Sequence, residues 1–325
     1  MAEVLVTGGT GFVGGAILRR LLAEGRSVRA LVRSGEGAAA VSALGAEPAF
    51  GDVLNPGSLR EAADGCEVVF HAAGVNEVCG PDRARMERVN VDGSVAVVWA
   101  AAEAGARRVV YTSSAAAVGE AAGVTATEDT PFSGRDLTGY AASKRRAEAA
   151  VLAEAGRRGI EVVSVNPSSV QGPGRTSGTA RILIGHLRGR LRVAVDTVVS
   201  LVFVDDCTAA HLLAADRGAP GERYLVSGAT LSVAEALEAL GRVTGRRRRV
   251  VFLPRAVVSA AAPVVGTGFR LLRKHPPLCR EAARVIRHGA RYDGSRISRD
   301  LGLAYTPLEE WLGRTVAWYR EQGLV

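Results

Sequence analysis

The first fourteen residues constrain this chain more than any other stretch. Val4-Leu-Val-Thr-Gly-Gly-Thr-Gly-Phe-Val-Gly14 sets glycines at 8, 9, 11 and 14 between an apolar strand and an apolar helix. In a strand-turn-helix unit each glycine has a task. Gly8 and Gly9 permit the tight turn, Gly11 lets the backbone approach a pyrophosphate, and Gly14 lets the helix lie close to the sheet. Phosphates held there meet unpaired amides and the positive end of the helix dipole. Thr10, Phe12 and Val13 complete the loop, so the expected opening unit is a dinucleotide-binding βαβ.

Short apolar runs then alternate with helical patterns, the signature of a parallel sheet covered by helices. Strands are expected at Val4–Thr7, Ser27–Val32, Glu47–Phe50, Val68–His71, Arg108–Thr112 and Glu161–Asn166. Helices are expected near Phe12–Glu24, Pro56–Asp64, Asp82–Ala104 and Gly139–Arg158. Right-handed crossovers turn that order into an α/β fold with a doubly wound parallel (Rossmann) sheet. After Pro167 the pattern gives way to Gly-, Ser- and Arg-rich loops and shorter elements. The reading is therefore a dinucleotide-binding domain over 1–167 and, over 168–325, a smaller C-terminal α+β lobe for substrate. Segments such as 200–215 are free to return to the sheet. A length of 325 residues with 47% hydrophobic and 23% charged composition suits about two globular domains and excludes general disorder.

The net charge of +8 raises the question of nucleic acid. Every basic residue except Lys144 and Lys274 is an arginine, spread along the chain. The one dense cluster, Arg246 to Arg249, has no interleaved aromatics for base stacking and reads as a solvated face. No nucleic-acid partner is expected. Cys66, Cys79, Cys207 and Cys279 are too few and too far apart for a disulfide scaffold, and no C-x-x-C pair or metal site is present. With no basic, cleavable leader at the N-terminus, a reducing cytoplasm is the expected setting. Ala256 to Leu272 is an apolar stretch near the lower length limit for a membrane span, but Pro263, Gly266 and Gly268 interrupt it. A buried or substrate-covering helix is the reading preferred to a membrane role.

Dinucleotide choice is decided where the second strand ends. Val32 fills the expected acidic position and Arg33 follows it, which favours the 2′-phosphate of NADP(H) over NAD(H). Asp52, with Val53, is placed to meet the adenine. For chemistry, Tyr140-Ala-Ala-Ser-Lys144 puts a phenol and an ammonium on one helical face. A phenol titrates near ~10, and proton exchange near neutrality calls for a lowering worth roughly 4 kcal/mol. A cation at ~4 Å in an effective dielectric of ~20 supplies about that much. Upstream, Val110-Tyr-Thr-Ser-Ser-Ala-Ala-Ala-Val-Gly119 sets hydroxyls at the carboxyl edge of the sheet, where ligands of open α/β sheets bind.

Over nearly its full length the chain resembles the extended short-chain dehydrogenase/reductase family. The matching pieces are Thr7 to Gly14, His71-Ala-Ala-Gly74, Val89-Asn-Val-Asp-Gly93, Thr112-Ser-Ser114, Tyr140 to Lys144, Asn166-Pro167, Gly172-Pro-Gly174 and Phe203-Val-Asp-Asp206. Asn166-Pro167 with Val170 and Gly172-Pro173, the Arg-ended second strand and Leu-Val-Ser-Gly228 are similar to the branch holding dihydroflavonol reductases and hydroxysteroid dehydrogenases. The resemblance implies a catalytic serine followed five residues later by glycine, which selects Ser114, with Tyr140 as acid/base. It implies that Lys144 holds the nicotinamide ribose and depresses the tyrosine pKa. It also places His71, Ala72, Ala73, Gly74, Thr112, Pro167, Ser169 and Val170 around the cofactor, with His71 open between lining and mere packing. Asn90 reads as a strand tie, and Asp205 and Asp206 as helix caps.

The function so implied is an NADPH-dependent ketone reductase or secondary alcohol dehydrogenase acting on a small, fairly apolar molecule, working as a homodimer through Asp82–Ala104 and Gly139–Arg158. Sugar-nucleotide dehydratases carry Asp-Glu after the catalytic hydroxyl, where this chain has Ala115-Ala116. The tyrosine common before the glycine in the epimerases is Val118 here. A sugar-nucleotide epimerase remains the alternative, with Arg175, Arg181 or Arg188 clamping a diphosphate. A non-catalytic NADP-binding regulator is a lesser one.

Overall fold

The computed structural model describes residues 2–80, 82–255, 257 and 279–325. β1 (Val4–Thr7), β2 (Val28–Val32), β3 (Glu47–Phe50), β4 (Val68–His71), β5 (Arg108–Thr112), β6 (Glu161–Pro167) and β7 (Arg223–Val226) form one parallel sheet ordered β7-β6-β5-β4-β1-β2-β3. The order reverses beside β1, which opens a crevice at the carboxyl ends of β1 and β4. Side chains alternate across the sheet: Val4 and Val6 enter one core and Leu5 the other. Helices cover both faces, which is why the strands read as nearly unbroken apolar runs.

On one face lie α1 (Phe12–Ala23) and the helix Val204–Arg217, whose Cys207, Ala210 and Ala214 share a core with Val4 and Val6. On the other lie α3 (Pro56–Ala63), α5 (Gly93–Glu103) and α6 (Gly139–Arg158). α2 (Gly35–Ser42) follows β2 and α4 (Arg83–Glu87) precedes α5. The second half also builds a three-stranded sheet from Ser169–Gln171, Val198–Phe203 and Ala229–Ser232. Helices Ala180–Leu187, Val233–Thr244 and Leu308–Glu321 pack there around Phe203 and Trp311.

The structure amends the expectation in four places. α2 forms in a glycine- and alanine-rich run that carries no strong helical stripe, because Ser34 caps it by accepting the Gly37 amide at 3.2 Å and Val41 buries. The single helix expected over 82–104 is broken by a π-helical turn, Arg88–Asp92, which turns Asn90 fully inward. A seventh strand, β7, joins the sheet from the second half, and Val204–Arg217 is the helix that carries the chain back to it. Finally, Cys79 and Cys279 form a disulfide across 200 residues. Spacing argued against such a pair, but topology brings the two together, so cysteine spacing no longer supports a reducing compartment. Beside that bond the buried Glu281 carboxylate accepts from Arg83 at 2.6 Å and from the Gly139 amide at 3.1 Å, fastening the helix Arg280–His288 to the start of α6. Residues 256–272, save Val257, lie outside the described residues. Among the described ones, no helix is long and apolar enough to cross a membrane.

Candidate active site

The glycine loop is shaped by contacts that leave no room for side chains. Gly8 has φ +74°, and a Cβ there would lie 2.7 Å from the Ala73 nitrogen and 2.8 Å from the Ala72 carbonyl carbon. A Cβ on Gly14 would overlap the Gly8 carbonyl oxygen and stand 3.3 Å from the Ala72 Cβ. Gly11 caps α1 without any side-chain hydrogen bond, so the first-turn amides at Phe12 and Val13 stay uncapped by protein side chains. A glycine-lined cradle over uncapped helix amides fits the pyrophosphate of a dinucleotide.

Behind the loop, His71 is fully buried and packs rather than lines. Its Nδ1 lies 2.7 Å from the Thr7 hydroxyl and its Nε2 2.9 Å from the Ser94 hydroxyl, which itself donates to the Asn90 carbonyl at 2.6 Å. Burial, helped by the Lys144 charge, drives the imidazole pKa down to about 3, so the ring is neutral and braces β1 against β4. Ala72 and Ala73 are half-buried and Gly74 is exposed just beyond it. The Asn90 side chain accepts from the Val75 amide at 2.8 Å and donates to the Val75 carbonyl and the Ser143 hydroxyl, each at 2.9 Å. It ties the segment after β4 to α6.

At the end of β2, Val32 is buried and Arg33 is exposed. Past β3, the Asp52 carboxylate accepts the Leu54 amide at 2.9 Å and Val53 is buried against Gly93.

Ser114 follows β5, its hydroxyl accepts the Ala116 amide at 3.3 Å, and it lies near enough to the Tyr140 phenol to lower that group's pKa. Tyr140 stands in the first turn of α6, which Thr138 caps through the Ala141 amide at 3.0 Å. Lys144, one turn on, is buried and donates to the Thr112 carbonyl at 2.8 Å and the Tyr111 hydroxyl at 3.4 Å. Thr112 contributes this carbonyl, because its hydroxyl is committed to His211 Nε2 at 2.9 Å while His211 Nδ1 bonds the Cys207 carbonyl at 2.7 Å. Pro167 is buried at the end of β6, and Ser169 and Val170 are half-buried, the Ser169 hydroxyl accepting from the Gln171 amide group at 3.0 Å.

Electrostatics correct one expectation. Burial raises the Tyr140 pKa, and the groups that oppose it are the Ser114 hydroxyl and then the Arg175 guanidinium, not Lys144. The i,i+4 spacing does put both side chains on one face, but the long lysine chain donates its hydrogen bonds to groups at the end of β5. Burial pushes Lys144 itself down to about 8, against the pull of Glu148. The chain's two lysines make this directly measurable. In 13Cε-lysine NMR of the cofactor-free protein, one of two signals, the one lost in Lys144→Met, is expected to titrate near pH 8. If both titrate above about 9.5, Lys144 is not desolvated as described.

Spacing alone did not mark Glu148 or the work of Asn166. The Asn166 amide donates to Glu148 at 2.6 Å and to the Ser114 carbonyl at 3.2 Å, and Arg223 donates to Glu148 at 3.1 Å. This network fixes the backbone of Ser114. The only signal was the placement of Glu148 one turn beyond Lys144.

The model of the NAD dependent epimerase/dehydratase family matches residues 4–227. The chain is 35% identical to sterol demethylase protein B of Methylococcus capsulatus, with 99% of each covered. It is 34% identical to 4-hydroxy-2-methyl-3-oxo-4-farnesyl-3,4-dihydroquinoline-1-oxide ketoreductase of Stigmatella aurantiaca, over 93% of this chain and 92% of that one. The crystal structure of gox2253 superposes with a TM-score of 0.87 at 31% identity, covering 100% of both chains.

Proposed function

The chain belongs to the NAD dependent epimerase/dehydratase family, and within it we propose an NADPH-dependent ketone reductase, reversible as a secondary alcohol dehydrogenase, acting on a small, fairly apolar molecule. The observation that carries this reading is the Ser114–Tyr140 hydroxyl pair at the carboxyl edge of the sheet, followed by Ala115 and Ala116 where elimination would need an acid and a base. The similarity to a ketoreductase over most of both chains supports it.

When bound, the reduced nicotinamide supplies a hydride. The Ser114 hydroxyl holds and polarises the ketone oxygen, and Tyr140 gives that oxygen its phenolic proton as charge develops there. Burial raises the phenol's pKa and so weakens it as an acid, an effect that the Ser114 hydroxyl and the Arg175 charge oppose. The Ser114 hydroxyl and the Arg175 charge, which both favour the ionised phenol, stabilise the tyrosinate left behind, until solvent returns the proton. Lys144 would hold the nicotinamide ribose, Gly8 to Gly14 the pyrophosphate, and Asp52 with Val53 the adenine. Ala72 to Gly74, Thr112, Pro167, Ser169 and Val170 would line the nicotinamide half. A two-fold dimer through α4–α5 and α6 and a cytoplasmic setting complete the proposal. In that setting the Cys79–Cys279 bond would be exposed to reduction.

The test is NADPH oxidation across a panel of apolar ketones. An epimerase would instead retain its dinucleotide tightly and consume none, and a regulator would show no steady turnover. For cofactor choice, Arg33→Asp is expected to lower the NADPH-over-NADH ratio of kcat/KM by about 10- to 100-fold, the worth of one charge-assisted phosphate contact. An unchanged ratio would remove Arg33 from the 2′-phosphate site.

A further inference from the structure

Resting on the ketone-reductase reading, we propose that Arg175 binds an acidic group, such as a carboxylate, carried by the substrate next to its ketone. Arg175 lies in the loop Gly172–Gly178 with its main chain pinned at both ends of the peptide. Its amide donates to the Gly172 carbonyl at 3.1 Å, and its carbonyl accepts the hydroxyl of the fully buried Tyr319 at 3.0 Å. Its guanidinium carbon lies 5.4 Å from the centre of the Phe12 ring at the head of α1. It is also near enough to bias the Tyr140 phenol.

This guanidinium stands apart in an arginine-rich chain. Its Nε is buried without a hydrogen-bond partner, and it takes part in none of the ion pairs among the described residues. Arg83, Arg108, Arg145 and Arg223, by contrast, each meet a carboxylate within 3.1 Å. A half-buried cation without a counter-charge is costly unless an anion completes it. The backbone amides of α1 would serve the pyrophosphate, and Arg175 is near enough to lower the pKa of the Tyr140 phenol that would meet the ketone.

The discriminating probes are 3-oxodecanoate and its methyl ester, which differ in charge and share the ketone. The wild-type protein is expected to favour the acid by ten-fold or more in kcat/KM, and Arg175→Met to lower that acid-over-ester ratio at least ten-fold. Arg175→Lys, with the charge kept and the fork lost, should fall between them. A ratio equal in wild type and Arg175→Met overturns the proposal, as does an NADPH Kd that rises ten-fold in Arg175→Met while the ratio holds, since the arginine would then serve the cofactor. If the wild type reduces neither probe, the reductase reading fails by itself. The acid site is then decided by calorimetry of decanoate with the NADP-loaded protein: binding lost in Arg175→Met supports it, and equal binding in both overturns it.

Discussion

Tyr140→Phe is expected to lower kcat for ketone reduction by about 10²- to 10⁴-fold, or roughly 3–5 kcal/mol of barrier, the usual span for losing a positioned proton donor. The substitution removes one oxygen and keeps the ring, so the first turn of α6 and its Thr138 cap stay in place. What disappears is the phenolic proton that the proposal places beside the Ser114 hydroxyl. Tyr111 cannot substitute for it. That residue is fully buried under Lys144, whose ammonium stands 4.9 Å from the ring centre, and burial holds its hydroxyl strongly protonated. Cofactor affinity, read by NADPH fluorescence, should survive, because the glycine loop and Lys144 are untouched. A near-normal kcat in this variant would remove the proton relay and the proposed reaction with it.

The parts of this mechanism that were legible in the sequence are those written in local spacing. The β1–α1 loop declares itself because the glycines mark places where any Cβ meets backbone, and the Tyr140–Lys144 pair because four residues make one helical turn. Six of the seven central strands were legible for the same reason, as apolar runs punctuated by helices. What sequence could not show are meetings between distant segments. Glu281 at the start of α6, Cys279 on Cys79 and His211 on Thr112 join residues that share no spacing rule. The lysine argument failed for a related reason: spacing gives the face of a helix, but not which hydrogen bonds a flexible side chain will take from a neighbouring strand. The π-turn that turns Asn90 inward spans only Arg88–Asp92, too short to show as a periodicity of its own.

The second large effect is expected at Gly14. A Cβ at this position would overlap the Gly8 carbonyl oxygen, lie 2.7 Å from the Gly8 carbonyl carbon and press on Ala72. These are mostly backbone atoms of the loop itself and cannot swing aside as the tip of a flexible side chain would. Gly14→Val should therefore push α1 away from β1, at an overpacking cost of about 1–3 kcal/mol or more. The same movement carries the uncapped amides of the first turn off the line they hold toward a phosphate, and that interaction decays within a turn. NADPH affinity is expected to fall at least about 100-fold, near 2.7 kcal/mol, together with a melting temperature lowered by several degrees. Gly25→Ala is the matched control. Unlike Gly14, Gly25 has a left-handed backbone, φ +77°, and nothing lies within 4 Å of its Cβ position, so only a modest strain cost of about 1 kcal/mol and no change in NADPH Kd are expected. If Gly14→Val stays folded and binds NADPH as the wild type does, helix proximity to the sheet is not what places the cofactor.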